Sequence, residues 1–117
     1  MNKIRHLALL IALTSVTPAI AAGYAPLDCA KAATASEKTI CASYSLGQAE
    51  ARMATLYQWA TSFVAMGQRG AIQDAQSNFI KKREECGANA PCIQAATGAR
   101  VKELEAVMEE VKQRGPF

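Results

Sequence analysis

Four cysteines set the tightest limit on what this chain can become. Eleven residues separate Cys29 from Cys41, and five separate Cys86 from Cys92. Loops this short can be closed by disulfides inside one small domain, provided the compartment is oxidising. Four cysteines allow three pairings, and proximity in sequence favours Cys29 with Cys41 and Cys86 with Cys92.

The first residues supply a route to such a compartment. Lys3 and Arg5 precede an almost wholly apolar run from Leu7 to Val16, and Ala19-Ile20-Ala21 offers the small residues that a signal peptidase requires. We expect residues 1–21 to be a secretory signal peptide. The apolar run is short of the roughly 20 residues that span a bilayer. Asp28 directly precedes Cys29, which is not the surrounding of a lipidation box, so export ends in solution, in the periplasm or outside the cell. Cleavage would leave residues 22–117, 96 residues in one domain. A core of that size is small, and each disulfide would add on the order of 2–4 kcal/mol.

Loss of the leader also changes the chemistry available. The basic count falls from 13 to 11 against 10 acidic residues, so no excess positive charge remains to attract nucleic acid. The only histidine, His6, leaves too. Histidine-based triads and histidine-bearing zinc sites leave with it. A pair of carboxylates could still serve a glycosidase, but a helical domain this small has little room for a sugar cleft. We therefore expect a protein that binds rather than catalyses, with no cofactor and no membrane contact after cleavage.

Thr34-Ala35-Ser36-Glu37 has the form of a capping box opening a short helix from about Ala35 to Ser43. Ser45-Leu46-Gly47-Gln48 resembles a second cap. Leu46, Ala49, Met53, Leu56, Ala60 and Phe63 then recur at steps of three and four, which is the stripe of one helix. Gly67-Gln68-Arg69-Gly70 reads as a breaker before a third helix, marked by Ile72, Ala75, Phe79 and Arg83 and stopped by Gly87. Asn89 can cap a fourth, with Pro91 in its first turn and an apolar face running through Ile93, Ala96, Arg100, Val101, Leu104, Val107, Met108 and Val111 to Gly115-Pro116. Sustained two-residue alternation is missing from the sequence. The fold class is all-α, a disulfide-stapled bundle of about four helices.

Leu27-Asp28-Cys29-Ala30-Lys31-Ala32, then Glu37 and Ile40-Cys41, resemble the opening signature of the LprI-type lysozyme inhibitor domain family. The second half resembles it as well, through Phe79, Ile80, Arg83, Glu84, Cys86, Gly87, Cys92, Ile93, Arg100, Val101 and Leu104. Leu46, Met53 and Tyr57 extend the likeness along the second helix. Phe79 stands where the family usually has Trp, and Thr97 where an aromatic is common. The resemblance implies a small helical module, periplasmic or secreted, that occludes a lysozyme. The partner class is thus a protein, a lysozyme or another cell-wall hydrolase.

Arg83 and Arg100 fall on apolar helix faces. Each could anchor a partner's carboxylate, but a guanidinium there more readily lays its stem along the core and pairs with Glu50, Glu37 or Asp28 in an internal network. Lys81-Lys82-Arg83 is diluted by Glu84-Glu85, and Glu103, Glu105, Glu109 and Glu110 read as a solvated helix surface. Trp59, beside the second helix's stripe, and Arg69, in the expected turn, are the candidate partner contacts. Two other readings stand beside inhibition. One is a different envelope interaction module, a stress adaptor or an immunity protein against a cell-wall hydrolase. The other uses the cysteines, with Met53, Met66 and Met108, as a thiol-redox or copper-handling set.

Overall fold

The computed structural model describes residues 26–115. The expected leader and its cleavage site lie outside the described residues, as does Pro116. A 3-10 turn, Cys29–Lys31, precedes four helices: α1 Ala35–Ala42, α2 Tyr44–Phe63, α3 Met66–Glu85 and α4 Ala90–Gln113. Among the described residues there is no strand.

Local chemistry explains most of the helix ends. Thr34 accepts from the Glu37 amide at 3.2 Å, while the Glu37 carboxylate accepts from the Thr34 and Ala33 amides at 3.1 and 2.7 Å. This is a closed capping box, and it satisfies donors that the first turn of any helix leaves over. Asn89 caps α4 by accepting from the Cys92 amide at 3.0 Å, with Pro91 in the first turn, where its missing N–H costs nothing. Gly87 sits at φ +56°, the left-handed conformation that ends α3 cheaply only in glycine.

Two boundaries differ from the sequence expectation. α2 begins at Tyr44, capped by Ser43, whose hydroxyl accepts from the Leu46 amide at 3.4 Å, so Ser45 lies inside the helix. Ser43 is at once the C-cap of α1 and the N-cap of α2, in extended conformation. The break between α2 and α3 falls at Val64 and Ala65, and not at Gly67 to Gly70. Both residues are extended, and buried Val64 turns its side chain back into the core. Gly67 and Gly70 are helical, with open space around each Cα. A glycine permits a break without forcing one.

The long helices run up, down and up. Near the start of α2, Glu50 meets Arg83 at the end of α3, and Met53 meets Gln76. Arg100 of α4 meets Gln76 of α3 and Arg114 meets Gln68, so α4 runs opposite to α3 and in the same direction as α2. α2 packs most extensively on α4, and α1 lies across the end where α2 and α4 begin and α3 finishes. Cys29–Cys41 ties the N-terminal arm to α1, and Cys86–Cys92 closes the corner between α3 and α4, each with Cα atoms 5.6 Å apart.

The core has two apolar parts. Met53, Tyr57, Ala60, Val64, Ile72, Phe79, Leu104 and Val111 fill the centre of the bundle. Ile40, Leu46 and Ile93 form a smaller cluster under α1, against Leu27 and the Cys86 end. Burying each of the larger side chains contributes about 1.5–3 kcal/mol. Phe63, expected on the inner stripe, is 48% exposed at the end of α2, where the helix has rotated away from the core and Val64 takes over.

Candidate functional site

A buried polar layer crosses the bundle among its apolar side chains. Arg83 donates to Glu50 at 2.9 Å, both side chains 3% exposed, and to Glu84 at 3.2 Å. Its guanidinium carbon stands 5.8 Å from the centre of the Phe79 ring. Glu84 also accepts from the Ser36 hydroxyl of α1 at 2.7 Å. Arg100 donates through Nε to Gln76 at 2.9 Å, through one terminal nitrogen to Glu103 at 2.9 Å, and through the other to the Ile72 carbonyl at 3.0 Å. Gln76 completes the layer by donating to the Met53 sulfur at 3.1 Å.

Of the carboxylates considered from sequence, only Glu50 joins Arg83. Glu37 is occupied by the capping box, and Asp28 accepts from the Ala30 amide at 3.0 Å and pairs with exposed Lys31 at 3.7 Å. Arg100 uses partners that the sequence reading did not name, Gln76 and Glu103. The missed signal was register. Ile72, Gln76, Phe79 and Arg83 are the inward positions of α3, so the glutamine belongs to the stripe where Ala75 was expected.

Among the described residues three carboxyl groups are shifted, all downward. The Ala33 amide, with the Thr34 amide behind it, holds Glu37 below the ordinary value of 4.5. Burial pushes Glu84 upward, but hydrogen bonds from Ser36, Thr34 and Arg83 and the guanidinium charge outweigh it, leaving that carboxyl lowered. Lys112, by hydrogen bond and charge, lowers Glu109.

Each acidic side chain of α4 named above has a neighbouring donor. Glu103 has Arg100, Glu105 has Arg52, Glu109 has Lys112 at 3.0 Å, and Glu110 has Arg114 at 3.9 Å and Gln68 at 3.5 Å. The acidic run is locally neutralised, which weakens any long-range pull on a basic partner.

The candidate partner contacts have different surroundings. Trp59 is 54% exposed on the outer face of α2. Arg69 lies in the first turn of α3, half-buried, and donates back to the Val64 carbonyl at 3.4 Å. It braces the corner between α2 and α3 and does not stand out from a loop. Tyr44 and Met66, strongly exposed, and half-exposed Phe63 add to the apolar surface of α2 and its corner. Charge is sparse there: within α2 only Glu50, which is buried, and Arg52, which is paired, are ionic.

Clefts open on the surface of the described residues at two places of note. One, about 320 Å³, lies between the N-terminal arm, α1 and the start of α2, with Leu27, Ile40, Tyr44, Gln48 and Ala51 among its walls. The other, about 410 Å³, is a groove between α3 and α4 with Phe79, Lys82, Arg100 and Glu103 along it. All four cysteines are bridged, so the thiolates that redox or copper chemistry would use are absent in this state. Among the described residues no His, Cys, Asp or Glu side chains are grouped to hold a metal, and no helix is long and apolar enough to cross a membrane.

A family model described as Lysozyme inhibitor LprI matches residues 29–114, from the first cysteine to the end of α4. No match was found among curated proteins or among solved structures.

Proposed function

Because this chain belongs to the LprI lysozyme inhibitor family, we propose that it binds a lysozyme and blocks it by steric occlusion. The supporting observation is the extent of the family match, which takes in both disulfides and every helix. Disulfides and family together indicate an extracytoplasmic protein. Export by residues 1–21 and residence in the periplasm or medium are part of the same proposal.

The bundle suits binding more than turnover. Its buried carboxylate and guanidinium groups serve one another, and its exposed aromatic surface is of the kind that supplies interface anchors. Inhibition assays against c-type and g-type lysozymes test the proposal. We expect saturable, stoichiometric loss of lytic activity with at least one of them at micromolar protein. Full activity of both, with no complex on sedimentation, refutes it. A complex formed only with another cell-wall hydrolase would redirect the partner.

A further inference from the structure

The outer face of α2 sets a projecting aromatic side chain and a cleft on one stripe. Tyr44, Gln48, Ala51, Thr55, Trp59 and Ser62 follow one another at steps of three or four, all exposed and all uncharged. They form one stripe along the helix. At one end stands a projecting side chain, Trp59. At the other is the 320 Å³ cleft walled by Tyr44, Gln48 and Ala51 of the same stripe, with Leu27 and Ile40 behind them.

We propose that a second copy of this chain docks antiparallel on this face, each copy seating Trp59 in the other's cleft. A twofold interface sets a surface against its own image, so any net charge would face itself. This stripe has none. Arg52, at its edge, carries its own counter-ion in Glu105.

The register follows from spacing. Fifteen residues of helix separate Tyr44 from Trp59, about 22 Å at the α-helical rise. An antiparallel partner that brings its Trp59 level with Tyr44 also sets Gln48 opposite Thr55, and leaves Ala51 beside the twofold axis. The small side chain there lets the backbones approach. Both tryptophans find both clefts in one step, which closes the assembly at two. The opposed helix dipoles favour the same orientation.

The test needs no lysozyme, so its outcome is independent of the inhibition proposal. The full gene product, expressed with its own leader and recovered oxidised, is sedimented across the micromolar to near-millimolar range while Trp59 emission is recorded. We expect a monomer–dimer equilibrium with a blue shift of emission as dimer forms. Ala51→Arg and Trp59→Ala should each weaken association at least tenfold with thermal melting of the monomer unchanged, since a buried aromatic anchor and a like charge at the axis both act at that scale. Ala51→Arg alone decides the matter if Trp59→Ala misfolds. A monomer at every concentration, or a dimer indifferent to Ala51→Arg, overturns the proposal. So does a monomer whose Trp59 emission shifts only on adding lysozyme or a chitin oligosaccharide, which would give the face to that occupant.

Discussion

A guanidinium only 3% exposed persists in this core because each charge near it has a defined place. Removing one partner of a buried pair leaves the other charged without compensation, at a cost of about 3–5 kcal/mol. We expect Arg83→Ala and Glu50→Ala each to fall in that range by urea denaturation. The double change Glu50→Leu with Arg83→Met should recover most of the loss, because it removes both charges and fills the volume. If the double variant is as unstable as the worse single one, the pair is a stabilising unit in its own right. Acid should act through Glu37 and Glu84. Glu37 and Glu84 take up protons near 4.5 in the unfolded chain and below that in the fold. As pH falls through this window the unfolded state binds more protons, so stability present above it is progressively lost. Stability measured from pH 6 downward should decline, and Glu37→Gln with Glu84→Gln should flatten the decline; an unchanged slope refutes the assignment.

At the scale of single elements, the cap at Thr34 and the bridge at Cys29–Cys41 hold the same short helix from two sides. α1 has eight residues, too few to be stable alone. Thr34→Ala should cost about 1 kcal/mol. Replacing Cys29 and Cys41 with serine should cost about 2–4 kcal/mol. In hydrogen exchange, α1 amides should lose protection before those of α2 and α4; simultaneous loss everywhere would show that α1 is no weaker than the bundle. These elements were legible in sequence because their signals are local: a threonine three residues before a glutamate, an asparagine before a proline, cysteines close together. The α2–α3 break was not. Val64 and Ala65 carry no turn chemistry, and the extended backbone there is imposed by Val64 entering the core. Propensity directed attention to Gly67 and Gly70, and tertiary packing decided otherwise.

Over the whole molecule, helix content, order and both bridges follow from periodicity and spacing, whereas the polar layer could be read only in part. Arg83 and Arg100 stood out as charges on apolar faces, yet a choice among Glu50, Glu37 and Asp28 requires knowing which helices cross. Gln76 has no charge to draw notice. The candidate binding surface was dimmer still. Trp59 was visible, but its relation to a cleft four turns away depends on α1 and the N-terminal arm folding across the start of α2.

Ser43, the residue shared between α1 and α2, leaves no slack at that joint. One extra residue there would rotate α1 by about 100° relative to α2. Ile40 would swing out of its cluster and Ser36 away from Glu84, while Cys29 and Cys41, both on the N-terminal side of the joint, would move together and stay bridged. The joint therefore acts as a length gauge for docking rather than for oxidation. A chain one residue too long or too short at Ser43 should emerge from an oxidising compartment with no titratable thiol, yet with α1 amides unprotected in hydrogen exchange even where its three long helices have formed.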